Sequence, residues 1–207
     1  LEAVRRVTPQ EMALYPDYSA LLPECAAYFG VDASTISLLN GLDEGLLSAV
    51  IAAFRADVSA PGVPEGIIVP PAFEMYAIQI RAAGGRVVAV PSRDNFGFPL
   101  DEILEAVTPR TRILFLTSPN NPTGLLVPRE AIRRLARELP DRVTVVLDEA
   151  YYEFCGETFL PDLPAHPRVV IGRTFAKAHG LAGLRAGCLI GEPERLAPIR
   201  NVIPPFN

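Results

Sequence analysis

Residues 112–151 read RILFLTSPNNPTGLLVPREAIRRLARELPDRVTVVLDEAY, and their hydrophobic pattern gives a clear indication of the fold. It begins with an apolar run at Arg112–Thr117, continues through a helical pattern at Arg129–Leu139, and reaches a second apolar run at Thr144–Leu147. Short runs that are apolar on both faces predict strands of a parallel sheet covered by helices on both sides. The stretch is therefore predicted to form a strand, a helix and a second strand.

The same alternation continues on both sides of this stretch. Further strands are predicted at Ile67–Val69, Arg86–Val90, Val169–Gly172 and Cys188–Gly191. Further helices are predicted at Tyr18–Gly30, Asp43–Ala56, Phe73–Ala83 and Leu100–Val107, and a proline- and glycine-rich loop at Val58–Gly66. Strands that alternate with amphipathic helices predict an α/β fold with three layers, in which a mostly parallel sheet lies between two helical layers.

Composition restricts the class of protein. A chain of 207 residues, 49% of them hydrophobic, is long enough for one sizeable α/β domain. No apolar run reaches the roughly 18 residues of a membrane span, and the first residues lack a signal-peptide core, so we expect a cytoplasmic location without membrane contact. The net charge of −5 and the lack of a Lys/Arg-rich tract argue against a nucleic-acid partner. Cys25, Cys155 and Cys188 have no metal or disulfide spacing, so we expect reduced, mostly buried thiols and no metal.

Reactive side chains follow three of the predicted strands. They lie in Ser118–Gly124, in Asp148–Tyr151 and at Lys177. Open α/β sheets bind ligands at the carboxyl ends of their parallel strands. These segments are therefore predicted to meet at one edge of the sheet.

Lys177 and Asp148 suggest an aldehyde cofactor with a pyridine ring. A deprotonated lysine amine forms an imine with an aldehyde, and Lys177 lies in an uncharged loop rich in glycine and alanine. Asp148 ends an apolar run, where a carboxylate needs a fixed cation such as a protonated pyridine nitrogen. The alternatives are a solvated surface lysine and a helix-capping aspartate.

Three more side chains suit the ring of such a cofactor. Asn121, in a loop compatible with a cis peptide before Pro122, and Tyr151 donate hydrogen bonds that suit a phenolate oxygen. Phe73 is predicted to begin a helix and to lay its ring against the heterocycle. Turn or core positions are the alternative for each.

A phosphate site is predicted from backbone amides at a helix start, a hydroxyl and a guanidinium. Asn40–Gly45 opens the strongest helical pattern, Thr174 supplies the hydroxyl and Arg185 the guanidinium. An ordinary glycine turn with an aspartate cap is the alternative for the first segment. Together with the ring-binding residues, this set predicts a pyridoxal-phosphate site.

With these residues assembled, the chain resembles the fold type I pyridoxal-phosphate aminotransferases, most closely those that act on histidinol phosphate. The resemblance runs from about Tyr15 to Asn207. Its motifs are Asn-Gly-x-Asp-Glu at 40–44, Pro-x-Phe-x-x-Tyr at 71–76, Ser-Pro-Asn-Asn-Pro-Thr-Gly at 118–124, Asp-Glu-Ala-Tyr at 148–151 and Lys-x-x-Gly-Leu-Ala-Gly-Leu-Arg at 177–185. Chance assembly of these motifs in this order is very improbable.

The resemblance implies a role for each ring-binding residue. Lys177 would hold pyridoxal 5'-phosphate covalently and move a proton between the substrate α-carbon and the cofactor C4′. Asp148 would pair with the pyridinium, Asn121 and Tyr151 would bind the ring oxygen, and Phe73 would stack on the ring.

The resemblance also implies the phosphate contacts and a homodimer. Leu42, Asp43 and Glu44 would present backbone amides beside Thr174 and Arg185. Tyr15 would reach the phosphate of a neighbouring subunit, so two chains would share their active sites. Ala176 replaces the usual serine before the lysine.

The implied reaction transfers an amino group from L-histidinol phosphate to 2-oxoglutarate, a small-molecule amino donor and a 2-oxo acid. Alternatives are a threonine-phosphate decarboxylase-like enzyme, an aromatic or broad-specificity aminotransferase, and a truncated cofactor-binding domain without catalysis. Residues 1–35 would be an N-terminal segment on the dimer and small-domain side, and residues 36–207 the cofactor-binding large domain. The N-terminal arm and the small domain, which supplies the arginine for the substrate carboxylate, are expected outside this sequence.

Overall fold

The computed structural model describes residues 2–56 and 61–204, and within them seven strands form one sheet. The strands are β1 (Ile36–Asn40), β2 (Glu65–Ile68), β3 (Arg86–Ala89), β4 (Thr111–Thr117), β5 (Thr144–Asp148), β6 (Val169–Thr174) and β7 (Ala186–Ile190). Their order across the sheet is β1-β7-β6-β5-β4-β2-β3. β7 pairs antiparallel with both neighbours and the other pairs are parallel, which confirms the mostly parallel sheet.

Helices cover both faces of this sheet. They are α1 (Glu2–Arg5), α2 (Pro9–Ala13), α3 (Leu21–Phe29), α4 (Leu42–Arg55), α5 (Met75–Ala82), α6 (Leu100–Glu105), α7 (Arg129–Glu138), α8 (Tyr152–Cys155) and α9 (Pro193–Arg200). The buried side chains of α4, α5 and α9 share one apolar cluster. Those of α3, α6 and α7 share the other. The predicted three-layer architecture is confirmed.

β4 shows why the sequence pattern was informative. All of its residues are buried. Ile113 and Phe115 belong to the cluster with α4, whereas Leu114 and Leu116 belong to the cluster with α7. Successive side chains of a strand point to opposite faces, so a strand that is apolar at every core position must be covered on both sides.

Three local features differ from the sequence-based expectation. β1 was not predicted, because it is an edge strand paired only with β7 and its burial is uneven along its length. β2 begins at Glu65, inside the predicted loop Val58–Gly66, of which residues 58–60 lie outside the described part of the chain. Phe73 precedes α5 instead of opening it.

The N-terminal part of the chain also contributes to the core. Cys25 and Ala26 of α3 lie in the same cluster as Ile36 at the start of β1. The proposed boundary between residues 35 and 36 stays a prediction. Cys188 is buried like Cys25, whereas Cys155 is exposed, and all three thiols are free.

Within the described residues, no helix has the length and apolarity that a membrane span requires. The same residues contain no group of His, Cys, Asp or Glu side chains that is arranged to hold a metal ion.

Candidate active site

The carboxyl ends of three neighbouring strands meet at one pocket. Thr117, the last residue of β4, pairs in register with Asp148 of β5, and Asp148 pairs with Gly172 of β6. Thr117, Asp148 and Thr174 all line a pocket of about 110 Å³. The predicted convergence of the three motif-bearing segments is confirmed.

Most of the predicted site residues line this pocket, namely Leu42, Asp43, Phe73, Asn121, Asp148, Tyr151, Thr174, Lys177 and Arg185. Glu44 and Tyr15 do not. The Glu44 carboxylate accepts a hydrogen bond from the backbone N–H of Asn40 at 2.8 Å, and Tyr15 is 72% exposed in the N-terminal segment. Their expected contacts with a phosphate stay predictions.

Asp148 is a buried carboxylate at the floor of the pocket. It is 4% exposed, and this burial raises the pKa of Asp148 to about 6. The backbone N–H of Ala150 donates to Oδ1 at 2.9 Å, and the Tyr76 hydroxyl donates to Oδ2 at 2.7 Å. Charge repulsion from the carboxylates of Asp43 and Glu149 raises the pKa of Asp148 further. A cationic ligand at this position would relieve that repulsion.

The structure also settles the alternative role of Asp148. α8 begins at Tyr152 and its N-cap residue is Tyr151. Asp148 is the last residue of β5, and its carboxylate receives the N–H of Ala150 within the turn. The helix-cap interpretation of Asp148 is therefore wrong.

Tyr76 and Thr117 are pocket residues to which the sequence assigned no role. Both line the pocket, and the Tyr76 hydroxyl lies 2.7 Å from Thr117 Oγ1. Tyr76 is the final residue of the Pro-x-Phe-x-x-Tyr motif, at the start of α5, and its ring lies edge-on to Phe73 with centroids 5.6 Å apart. The spacing of three residues between two aromatics near a helix start was the available signal.

Asn121, Tyr151 and Lys177 lie together at the mouth of the pocket. Asn121 Nδ2 lies 3.4 Å from the Tyr151 hydroxyl, and the Asn121–Pro122 peptide is cis. Lys177 Nζ lies 5.7 Å from the centre of the Tyr151 ring. The amide and the phenol therefore face the same space as the amine, as the sequence predicted.

Lys177 is also the only lysine in the 207-residue sequence; the other basic side chains, histidine apart, are arginines. Arginine is always protonated in proteins and cannot form an imine, whereas lysine can lose its proton. This count is visible in the sequence alone. It makes Lys177 the single side-chain amine available for an aldehyde.

The opposite end of the pocket suits an anion. α4, the longest described helix, begins at Leu42, and its N-cap residue Gly41 has no side chain with which to cap the first amides. Arg185 Nη2 lies 3.3 Å from Asp43 Oδ2 beside this helix end. Backbone amides at a helix N-terminus together with a guanidinium form a site for phosphate. The Asp43 carboxylate holds Arg185 at that end.

Thr174 and Ala176 complete this end of the pocket. The Thr174 hydroxyl oxygen accepts a hydrogen bond from the backbone N–H of Ala176 at 3.2 Å, which leaves its own proton to donate to an anion. Ala176 lines the pocket with a methyl group. The site therefore relies on one hydroxyl at this corner.

A buried ion pair lies behind the pocket. Glu149 follows Asp148, Arg173 precedes Thr174, and their charged atoms approach to 2.7 Å with both side chains almost fully buried. The guanidinium carbon of Arg173 also lies 3.7 Å from the centre of the Tyr152 ring. Removing one partner would leave the other charge buried and unpaired, which costs about 3–5 kcal/mol, so the two residues are needed together.

Gly41 allows Arg185 to lie across the start of α4. Gly41 has a φ of +83°, and a Cβ there would lie 2.4 Å from Arg185 Nη2. Gly84 has a similar φ of +81°, but nothing lies within 4 Å of its Cβ position. The two glycines therefore share a positive φ, but only a side chain at Gly41 would be crowded.

If Arg185 binds the phosphate of pyridoxal phosphate as predicted, Gly41→Ala should weaken binding about 10-fold, because the added methyl group would displace the guanidinium. Gly84→Ala is the matched control. Both variants should lose roughly 1–3 kcal/mol of stability to backbone strain at a positive φ, but only Gly41→Ala should lose affinity in a fluorescence titration. Equal loss of affinity in both variants would contradict the assigned role of Arg185.

A second, larger pocket of about 290 Å³ lies beyond the ends of β2 and β4. It is lined by uncharged side chains, among them Phe96, Phe98 and Leu125, and by none of the predicted site residues. A charged heterocyclic phosphate needs both a cation and an anion from the protein. The smaller pocket contains them, and the larger one does not.

The comparisons with known proteins agree with this geometry. Residues 1–207 match the family described as aminotransferase class I and II. The chain is 40% identical over 203 residues to histidinol-phosphate aminotransferase 2 of Ralstonia nicotianae, covering 95% of this chain and 52% of that relative. It is 44% identical over 138 residues to an aromatic amino acid aminotransferase of Mycolicibacterium vanbaalenii, covering 65% of this chain and 39% of that relative.

Solved structures have the same fold. Histidinol-phosphate aminotransferase from Sinorhizobium meliloti, in complex with pyridoxal-5'-phosphate, superposes with a TM-score of 0.84 and 27% identity. The match covers 100% of this chain and 55% of that chain. The chain therefore spans about half the length of the histidinol-phosphate aminotransferases that it matches.

Proposed function

Because the chain belongs to the class I and II aminotransferase family, we propose that it forms the cofactor-binding part of a pyridoxal 5'-phosphate-dependent aminotransferase. The observation that carries this proposal is Asp148, a carboxylate buried at the floor of a pocket that also contains Lys177. A protonated pyridine nitrogen is the cation that would match Asp148. The only lysine of the sequence would then bind the aldehyde of the same molecule.

The remaining pocket residues suit the other parts of the cofactor. Asn121 and Tyr151 would bind the ring oxygen, since their polar atoms lie 3.4 Å apart at the mouth of the pocket. Phe73 would contact the face of the ring. The first amides of α4, with Thr174 and Arg185, would bind the phosphate.

When bound, pyridoxal phosphate supplies an electron sink that stabilises negative charge at the substrate α-carbon. Asp148 would keep the ring nitrogen protonated, which that chemistry requires. Lys177, after release from the aldehyde, would carry the proton between the α-carbon and C4′. Half-exposure of Arg185 and exposure of Lys177 leave the pocket open to substrate on that side.

Transfer between L-histidinol phosphate and 2-oxoglutarate is the proposed reaction of the whole protein. Its support is the 40% identity over 95% of this chain to a histidinol-phosphate aminotransferase. An aromatic amino acid aminotransferase is the second candidate, because one such enzyme is 44% identical over a shorter segment. A homodimer with shared sites is proposed on the position of Tyr15, exposed and outside its own pocket.

The choice of amino donor is tested by single-turnover absorbance. Pyridoxal phosphate bound to the chain is mixed separately with L-histidinol phosphate, L-phenylalanine and L-threonine phosphate, and conversion to pyridoxamine phosphate is followed. We expect L-histidinol phosphate to react at least about 10-fold faster, the discrimination of one well-placed charged contact. Equal rates would refute this donor, and binding without any conversion would support the non-catalytic alternative.

A further inference from the structure

We infer that Tyr76 is a positioning residue for the cofactor. Its hydroxyl accepts a hydrogen bond from Thr117 and donates one to Asp148, and these two bonds hold the Asp148 carboxylate against the ring nitrogen of the cofactor. This inference rests on the proposed function, since it assigns Tyr76 a task in cofactor binding. The three side chains come from α5, β4 and β5.

The ring of Tyr76 is held independently of its hydroxyl. Tyr76 is 1% exposed, and its ring stacks on Phe115 with centroids 4.8 Å apart and an interplanar angle of 9°. Phe73 contacts it edge-on. These contacts fix the position of the ring. Its hydroxyl lies 2.7 Å from Asp148 Oδ2 and 2.7 Å from Thr117 Oγ1. A Tyr76→Phe change would keep the packing and remove only the polar atom.

Proton counting gives the chain of hydrogen bonds a direction. A phenol has one proton, and the Tyr76 hydroxyl donates it to Asp148. Thr117 must then be the donor in its contact with Tyr76. Burial and the Asp148 charge raise the pKa of Tyr76 well above its usual range, so the phenol remains a donor. When Asp148 is ionised, each donor has an acceptor: Thr117 donates to Tyr76, and Tyr76 donates to Asp148.

This arrangement opposes the effect of burial on Asp148. Burial raises the pKa of Asp148, and the hydrogen bond from Tyr76 is the largest influence that lowers it, ahead of the N–H of Ala150. The other ionisable groups around the pocket or acting on Asp148 are Asp43 and Arg185 at the start of α4, Glu149, Tyr151 and Lys177. Without Tyr76, Asp148 would take up a proton nearer to neutral pH.

The first test is cofactor-free. The carboxyl carbon of Asp148 is followed by ¹³C NMR from pH 4.5 to 9 in the parent chain and in Tyr76→Phe. We expect a midpoint at about 6 in the parent, and a midpoint higher by about one pH unit in the variant, the effect of one charge-assisted hydrogen bond. Thr117→Val should shift the midpoint in the same direction by less. An unchanged midpoint in Tyr76→Phe overturns the inference.

The second test uses pyridoxamine 5'-phosphate, which has no aldehyde and so cannot attach to Lys177. Its dissociation constant is measured over the same pH range. In Tyr76→Phe, the pH below which affinity falls should move upward by about one unit, so binding should be about 2-fold weaker at pH 7 and about 10-fold weaker at pH 5. Tyr151→Phe is the matched control, because the same atom is removed from the same pocket. Tyr151→Phe should weaken binding by the same factor at every pH.

The two tests separate this inference from the proposed function. If the Asp148 midpoint moves but the parent does not bind pyridoxamine phosphate, the proposed function fails and the hydrogen-bond chain stands. If the parent binds and both Tyr→Phe variants have the same pH profile, the role of Tyr76 fails and the cofactor site stands.

Discussion

Replacement of Lys177 by alanine is expected to abolish covalent attachment of pyridoxal phosphate to any side chain of this 207-residue chain. Lys177 is the only lysine in the sequence, and it lines the pocket that contains Asp148. Attachment requires a deprotonated amine, which no arginine supplies. Reduction with borohydride, followed by peptide mass spectrometry, should therefore place the label of the parent at Lys177. The variant should keep only labelling of the chain's α-amine.

Lys177→Arg is the matched control for this experiment, because it retains the positive charge without an imine-forming amine. We expect it to bind the cofactor more tightly than Lys177→Ala but to show no visible band from the pocket and no reducible label on any side chain. Amino transfer should fall at least about 1,000-fold in both variants, since each loses the group proposed to carry the proton. A visible band in either variant would remove Lys177 from its assigned role.

Asp148→Asn is expected to impair cofactor binding and to stabilise the chain without cofactor. Asparagine has the same shape and still accepts the N–H of Ala150, but it carries no charge to pair with a pyridinium. Loss of a buried charge partner costs about 3 kcal/mol, so affinity should fall about 100-fold. The measured quantity is the dissociation constant of pyridoxamine phosphate, because this molecule cannot attach covalently to Lys177.

Asp148→Asn is expected to weaken cofactor binding but to raise the free energy of unfolding, and the second effect depends on pH. Folding raises the pKa of Asp148 from 3.8 to about 6. A carboxyl with a raised folded-state pKa favours the folded state fully only below about pH 4, and that contribution is lost as pH rises through 6. Above this window the ionised, buried carboxylate costs about 3 kcal/mol. Asp148→Asn should therefore be more stable than the parent at neutral pH.

Urea unfolding at pH 5 and pH 7.5 measures this difference. The stability advantage of Asp148→Asn should be larger at pH 7.5 by roughly 1 kcal/mol or more. Asp94→Asn is the control, because Asp94 lies on the surface, and surface substitutions change stability by less than about 0.5 kcal/mol. An equal stability advantage at both pH values would show that burial does not raise the pKa of the Asp148 carboxyl.

The sequence predicted the centre of the fold well because its signals there are local. β4 and β5 are apolar on both faces, and this alone indicates a sheet covered on both sides. Because ligands bind at the carboxyl ends of parallel strands, the positions of Asn121, Asp148 and Lys177 after their strands were enough to bring them together. β1 was missed because an edge strand with uneven burial has a weaker pattern.

Contacts within the pocket were harder to predict. Tyr76 lies 41 residues from Thr117 and 72 residues from Asp148 in the sequence, yet all three meet at hydrogen-bond distance. Arg185 was assigned to a phosphate, but its contact with Asp43, 142 residues away, follows from the small space above Gly41. No periodicity or spacing encodes such pairs, since they depend on how α4 and α5 pack against the sheet.

Local signals in the sequence were enough to predict the α/β architecture and the family, and they named candidate residues for a pyridoxal-phosphate site. They were enough because hydrophobic periodicity and short motifs are properties of neighbouring residues. The tertiary structure alone decided how the charges in the pocket are balanced. Burial makes Asp148 an acid with a pKa of about 6, and Tyr76, from a distant helix, supplies the hydrogen bond that opposes this effect. Burial and long-range hydrogen bonds exist only once the layers have packed.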